Sequence, residues 1–256
     1  MITDPVFYAF AIPAVIMTGL AKGGFAGIGA VAMPLLALVI APVQAAAILL
    51  PILIVQDAVG VWAFRKTWDR RILAIALPGA AVGILLGYLL AAKVSPEAIL
   101  GVLGAISIGF ALWRLWLGRR GAVERLAKAK PRSAAADTVL GLCLTAASGF
   151  TSQVAHAGQP PFQMWILPKT LPAATFVGTN AIYFAVVNAL KVPAYFALGE
   201  LTPGNLTTAA VLLPLALFST LAGVWLVRRV SAETFYLAIY ALMIGVGGLL
   251  IWEALT

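Results

Sequence analysis

The sequence predicts an all-α polytopic membrane protein built from two inverted repeats, each a broken or re-entrant helical hairpin followed by three transmembrane helices. Three observations predict this fold class. The chain is 62% hydrophobic and only 10% charged, which is far less charge than a soluble domain carries. Its apolar segments form two similar series around one hydrophilic linker. Its basic residues recur at positions that can all face one side of a bilayer.

The composition also narrows the classes of function. A length of 256 residues and a mean hydropathy of +1.03 allow roughly eight to ten membrane spans. The formal charge of +8 does not indicate nucleic-acid binding, because no soluble surface is available to carry it. The single cysteine, Cys143, excludes an internal disulfide. One histidine and nine scattered acids give no metal motif, phosphate loop or catalytic triad, so we expect no enzyme, metal or cofactor.

Ten apolar segments define the expected elements. They span 5–21, 27–41, 43–64, 71–92 and 97–117 in the first half, and 136–150, 158–168, 172–198, 205–227 and 233–252 in the second. The segments 27–41 and 158–168 are too short to cross a bilayer comfortably. We expect them to be second arms of re-entrant hairpins, with full spans as the alternative. The domains are a first repeat at 1–117, a basic linker at 118–133 and a second repeat at 134–256.

The two halves carry matching residues in the same order. The run from Lys93 to Glu97 matches the run from Arg229 to Glu233, and the same offset aligns Pro78 with Pro214. A slightly smaller offset brings Asp57 close to Asn188. Several coincidences in one order indicate an internal duplication.

The distribution of charge predicts the orientation. Basic residues lie at 65–71, throughout the linker 118–133, at Lys169, and at 228–229. With three full spans per half, all of these fall on the cytoplasmic side of the inner membrane. Because three is odd, the halves are inverted, both chain ends face outward, and the linker is cytoplasmic.

The first hairpin breaks in a stretch from Thr18 to Pro34 that holds five glycines and Lys22. A cation beside free backbone amides suits an anion, so substrate binding is expected at Lys22, Gly23, Gly24 and Gly27. Two alternatives remain open at this point. Glycines four residues apart are typical of closely packed membrane helices, and Lys22 could reach a membrane interface from a helix end.

The second hairpin is polar where the first is rich in glycine. The binding candidates in it are Thr151, Ser152, Gln153, His156 and Gln159, whose hydroxyl and amide donors could replace the hydration of an oxyanion. The alternative is a connecting loop wetted by water. His156 is a candidate for proton coupling, because its unperturbed pKa lies near neutral pH; the alternative is a neutral side chain that donates one hydrogen bond.

Two later spans add polar residues to the candidate site. Asn180, Tyr183, Asn188 and Lys191 recur at helical spacing on one face. Asn180 and Asn188 are expected to bind substrate or to bond between helices, whereas Lys191 lies toward the outer end and could snorkel. Gln56 and Asp57 lie inside the span 43–64, with Gln56 a binding candidate and Asp57 a second candidate for proton coupling. Asp57 should pair with either Lys22 or Arg65.

These motifs resemble those of the sulfite exporter TauE/SafE family, also called the 4-toluene sulfonate uptake permease family. The residues that carry the resemblance are Gly19, Lys22, Gly23, Gly27, Gly29 and Pro34 in the first half, and Gly149 and Phe150 in the second. The resemblance implies a secondary transporter of small anions, often sulfur oxyanions or organosulfonates. Gln153 and Gln159 stand where the family usually has glycine.

The expected function is therefore transport of a small anion, with the site at midplane between the repeats. A passive anion channel and a non-transporting membrane scaffold are the alternatives. The expected partners are the anionic substrate, the lipid bilayer and a proton or another coupling ion, with no nucleic acid. The sequence leaves the oligomeric state open.

Overall fold

The computed structural model describes residues 1–25, 27–90, 93–118, 133–227, 229 and 233–256, with only the backbone of 233–236 and 238. This part of the chain is helical and contains no strand. The helices are α1 (Pro5–Lys22), α2 (Ala32–Ala37), α3 (Pro42–Phe64), α4 (Arg70–Leu90), α5 (Pro96–Leu117), α6 (Ala134–Ala155), α7 (Gln159–Ile166), α8 (Ala173–Ala197), α9 (Pro203–Leu226) and α10 (Glu233–Leu255). A 3-10 turn, Ile28–Val31, leads into α2, and another, Leu167–Lys169, follows α7. Most of the predicted linker, residues 119–132, lies outside the described residues, as do Arg228 and 230–232.

Helix starts follow local capping chemistry. Ser95 and Thr202 accept hydrogen bonds from the amides of Ala98 and Asn205, each at 3.2 Å. Each of these caps is followed by a proline at the first helical position, where its missing N–H costs nothing. The start of each of these spans is therefore set by the local sequence.

The long helices are those of a multi-pass membrane protein. Within the described ranges, seven helices of 18 residues or more are apolar enough to cross a membrane: α1, α3, α4, α5, α6, α8 and α9. Large apolar side chains such as Phe196, Phe218 and Trp225 point outward, as lipid-facing residues do. The predicted all-α polytopic class is thus confirmed.

The second arms of the two hairpins are short. Ile28–Ala37 has 10 residues and Gln159–Ile166 has 8, which gives lengths of roughly 12–15 Å. The hydrocarbon core of a bilayer is about 30 Å thick. Neither arm can cross it alone, so of the two alternatives the full span is excluded by length.

The first break uses glycine for two different purposes. Gly24 and Gly27 have φ of 133° and 105°, which side chains on L-residues rarely allow. Gly19 and Gly23 instead lie against α9, where a Cβ would come within 2.0 Å of Ser219 and 2.5 Å of Gly223. Close helix packing is therefore the interpretation that fits Gly19 and Gly23.

The second break is shorter than the sequence indicated. Helix α6 continues to Ala155, so Thr151, Ser152 and Gln153 belong to its last turn and not to a loop. The predicted first arm, 136–150, was too short because these polar residues resemble loop residues, whereas the Thr151 hydroxyl donates to the Ala147 carbonyl within the helix and Ser152 Oγ accepts from Lys191. The turn itself is made by His156 with φ of 49°, and Ser148 Oγ holds it by donating to the Gly158 carbonyl at 2.6 Å.

Helix contacts occur in matching pairs between the halves. Helix α1 packs along α9 as α6 packs along α4, and α3 contacts α9 as α8 contacts α4. The remaining large contacts join α3 to α8 and α5 to α10, which occupy equivalent positions in the two halves. This is the pattern that a two-fold relation between repeats would produce, although the inverted repeat itself stays a prediction.

A cluster of four described basic residues lies at one end of the bundle. Arg65, Lys66, Arg70 and Arg71 lie between α3 and α4. Helices α4 and α6 run in parallel, because Gly79 lies against Thr145 and Gly87 against Gln153. The start of α6 is therefore at the same end, where Asp137 binds Lys169 at 2.6 Å.

Candidate functional site

A small cavity lies between the breaks of the two hairpins. Its volume is about 50 Å³, and α3 and α8 close its sides. Apolar side chains such as Leu49 and Leu53 form part of the wall. The polar residues that line it are Thr18, Lys22, Ser152, His156, Gln159 and Asn188.

Lys22 forms a buried ion pair at one side of this cavity. Its ammonium donates to Asp57 Oδ1, and the Asn188 amide donates to the other carboxylate oxygen at 2.6 Å. The ammonium also lies 5.2 Å from the centre of the Phe184 ring. Of the two partners considered for Asp57, the structure selects Lys22, since Arg65 donates instead to the Trp62 carbonyl at 2.5 Å. Lys22 is 9% exposed and Asp57 3%, so an interfacial anchor is excluded for this lysine.

His156 and Lys191 form a second polar pair on the other side. The Nε2 atom of His156 lies 2.8 Å from the Ala46 carbonyl oxygen, and Nδ1 lies 2.5 Å from Lys191 Nζ. A carbonyl can only accept, so Nε2 carries the ring proton and Nδ1 accepts from Lys191. Lys191 is fully buried, so the expectation that it could snorkel is wrong. A long side chain near a helix end is interfacial only when no neighbouring helix covers it.

The groups around the cavity are arranged as hydrogen-bond donors. Lys191 donates to Ser152 Oγ at 3.1 Å, which leaves the serine O–H available. Gln163, one turn along α7, donates to Gln159 Oε1 at 2.7 Å, which leaves the NH₂ of Gln159 available. With the Lys22 ammonium and the Asn188 amide, these donors suit an anion better than a cation.

A comparison with protein-family models decides the family. The model described as Sulfite exporter TauE/SafE matches residues 11–250. The chain belongs to the TauE/SafE family. The suspected resemblance is confirmed over nearly the whole chain, and it makes this protein a membrane transporter with a small anionic substrate and a lipid environment. Proteins of the TauE/SafE family are transporters rather than enzymes. No curated protein and no solved structure matches the chain.

Two of the glycine amides in the first break of this TauE/SafE protein are already bonded within the chain. The amide of Gly23 donates to the Gly19 carbonyl at 2.9 Å, and that of Gly24 to Ala21 at 3.2 Å. Neither residue lines the cavity, and nor does Gly27. Helix α1 ends at Lys22, close to the expected end, and the hydrogen bonds that close it use the Gly23 and Gly24 amides that were expected to bind the anion.

Besides these three glycines, four more of the predicted binding residues lie away from the cavity. The Gln56 amide donates to the Val15 carbonyl at 3.1 Å, between α1 and α3. Thr151 donates to backbone carbonyls that close the second hairpin. Gln153 lines a separate cavity with Tyr195 and Glu200, and Asn180 is buried but lines neither cavity. Helical spacing predicted that Asn180 and Asn188 share one face of α8. Because α8 contacts several helices, residues on that face meet different neighbours, and only Asn188 bonds Asp57.

Three residues of the site were missed or undervalued in the sequence. Thr18 lines the cavity just before the break, and Lys191 holds both Ser152 and His156. Gln163 is completely buried, and its position four residues after Gln159 in a short apolar arm was the signal available in the sequence. Among the described residues, no group of three histidine, cysteine or acidic side chains could hold a metal ion.

Proposed function

We propose that this TauE/SafE protein is a secondary transporter that moves a sulfur oxyanion or an organosulfonate across the inner membrane. The observation that carries the proposal is the cavity between the two hairpin breaks, whose polar lining presents donors from both halves of the chain. A water molecule needs about 10–15 Å³ of such space, so about 50 Å³ corresponds to roughly four non-hydrogen atoms. A compact oxyanion matches that volume, and a larger sulfonate requires the hairpins to move apart.

The depth of the cavity supports a site at midplane. Leu53, which lines it, is the central residue of the 23-residue helix α3. The break in each half therefore brings its polar groups to the middle of the bundle. In transporters built from inverted repeats, broken helices meet at this depth between the repeats.

The paired helix contacts and the basic end of the bundle support two inverted repeats with a cytoplasmic linker. This topology can be tested by placing single cysteines at Thr67 and Glu200 in a Cys143→Ala background. An impermeant thiol reagent added outside should label the Glu200 position alone. Labelling of Thr67 from outside would contradict the orientation.

Transport is tested with purified protein in liposomes loaded with sulfite or methanesulfonate. A carrier gives saturable uptake and counterflow, in which unlabelled anion inside drives labelled anion inward. Linear, non-saturating flux would identify a channel, and no flux above that of empty liposomes would identify a scaffold. A Lys66→Met variant is a suitable control, since Lys66 is exposed and far from the cavity.

Coupling to protons is the finer part of this proposal. His156 and Asp57 are both bonded to lysines at the cavity, so a change in their proton occupancy would alter the charge that the anion meets. An imposed pH gradient should then drive accumulation of anion in liposomes. If anion accumulation does not depend on the pH gradient while counterflow is still observed, proton coupling is excluded and the carrier mechanism is retained.

A further inference from the structure

We infer that the site accepts anions with a single negative charge and rejects those with two, and that Lys191 supplies the charge that makes this distinction. The inference rests on the proposed function, because it concerns the same cavity. It starts from a count of the charges that line or support the cavity.

The first pair at the cavity is internally neutral. The Lys22 ammonium is bonded to the Asp57 carboxylate, and both groups are almost completely buried. Asn188 donates to the second carboxylate oxygen, so each oxygen of this acid already has a hydrogen-bond donor. The pair therefore contributes a charge of zero.

The second pair carries one positive charge. Lys191 has a nitrogen 2.5 Å from His156 Nδ1, and its other described contacts are the carbonyl and hydroxyl oxygens of Ser152 at 3.1 Å. The three acceptors around Lys191 Nζ match the three N–H donors of an ammonium, and His156 Nδ1 accepts one of them. With a neutral His156, the pair carries the single positive charge of Lys191. Within the described residues, Lys191 has no carboxylate partner.

The cavity and its supporting groups thus carry one positive charge, and Lys191 is completely buried, so solvent ions screen its charge only weakly. A buried charge without a partner is costly, and a monovalent anion neutralises it. A divalent anion of the same shape would leave one negative charge buried instead. Lys191 does not line the cavity, but it bonds Ser152 and His156, which do, so its charge acts through those two groups.

Methanesulfonate and sulfate form a suitable pair of probes, because they have similar tetrahedral shapes and differ in charge. Binding to purified, monodisperse wild-type protein should be at least about tenfold tighter for methanesulfonate, since a unit of buried charge outweighs the exchange of a methyl group for an oxygen. Equal affinity for the two anions, or tighter sulfate binding, would overturn the inference. If neither anion binds, the proposed function fails first.

The role of Lys191 is tested by restoring the charge at a different residue. Lys191→Met reduces the net charge to zero and should weaken methanesulfonate binding about tenfold or more. Adding Asp57→Asn removes the negative charge that neutralises Lys22, so the net charge at the cavity is again +1. The double variant Lys191→Met/Asp57→Asn should therefore regain most of the lost affinity. If Lys191 acted only by positioning Ser152 and His156, the double variant would stay as weak as the single one. That result, or wild-type affinity in Lys191→Met, would exclude Lys191 as the selecting charge. Lys66→Met, at an exposed lysine, controls for a general effect of removing positive charge.

Discussion

The two hairpin breaks meet at one cavity but are built from different chemistry. In the first, backbone geometry needs glycine at Gly24 and Gly27, and the charged group at the cavity is one lysine that is already bonded to an acid. In the second, a histidine adopts the left-handed conformation at the turn, and side chains from two helices present donors. The breaks of the two hairpins therefore have different roles.

This division shows what each break contributes. The first break brings helices together, since Gly19 and Gly23 allow α1 to lie against α9. The second break holds the polar lining, and a histidine in a conformation that glycine would adopt more easily is a residue kept for its side chain. The following predictions test this contrast, from the largest expected effect to the smallest.

Lys22→Met should destabilise the protein by about 3–5 kcal/mol, because it leaves the Asp57 carboxylate buried without its partner. Unfolding in detergent by heat or denaturant measures the loss. Combining it with Asp57→Leu should recover most of the stability. The matched control is Lys169→Met, which breaks the half-buried pair with Asp137 and should cost about 1 kcal/mol or less. Wild-type stability in Lys22→Met would show that the ion pair does not support the fold.

Gly23→Ala should cost about 1–3 kcal/mol, because the added Cβ would meet the backbone of Gly223. Gly149→Ala tests the equivalent packing of α6 on α4, where the Cβ would lie 2.1 Å from the Ala80 carbonyl oxygen. Anion affinity of the folded fraction should not change in either variant. Gly109→Ala is the control, with no atom within 4 Å of its Cβ. A loss of anion affinity in Gly23→Ala without a loss of stability would instead show that the glycine-rich break is part of the binding site.

Gln159→Ala should weaken anion binding by about 1–3 kcal/mol, or roughly tenfold to a hundredfold, because it removes a donor at the cavity. Gln153→Ala should leave the affinity unchanged, since Gln153 lines a different cavity. The sequence predicted weaker binding for both variants. Isothermal titration of the two variants therefore decides whether the binding site includes Gln153, as the sequence motif predicted, or excludes it, as the cavity lining indicates. Equal losses in both would place the site elsewhere in the hairpin.

Gln163→Leu should weaken binding by about 1 kcal/mol, because Gln159 then loses the donor that turns its NH₂ toward the cavity. The same change made in a Gln159→Ala background should have no further effect on affinity. A purely structural role for Gln163 would instead lower stability in both backgrounds and leave the binding constant of the folded protein unaltered.

Much of the fold could be predicted from the apolar composition and from the regular succession of apolar segments. The apolar runs, caps and prolines are local signals, and the observed spans begin and end within a few residues of the expected ones, except at the end of α6. Polar residues at Thr151, Ser152 and Gln153 looked like a loop, because a sequence does not show that their hydroxyls and carbonyls are bonded to the helix and its neighbours.

The candidate site was predictable as a region but not as a set of contacts. Lys22, Ser152, His156, Gln159 and Asn188 were expected and do line one cavity, whereas Gln56, Gln153 and Asn180 do not. Helical spacing tells which residues share a face of one helix. It does not tell which neighbour that face meets, and α8 contacts α3, α4 and α6 at once.

The sequence by itself determined that this chain is a helical membrane protein of the TauE/SafE family with two broken hairpins, because apolar length, glycine and proline act locally. Only the tertiary structure decided that Asp57 pairs with Lys22, that Lys191 is buried beside His156, and which glutamines face the cavity. The physical reason is that burial and pairing of a polar group depend on helices far away in the chain. Asp57 and Asn188 are 131 residues apart, and no local pattern encodes their contact.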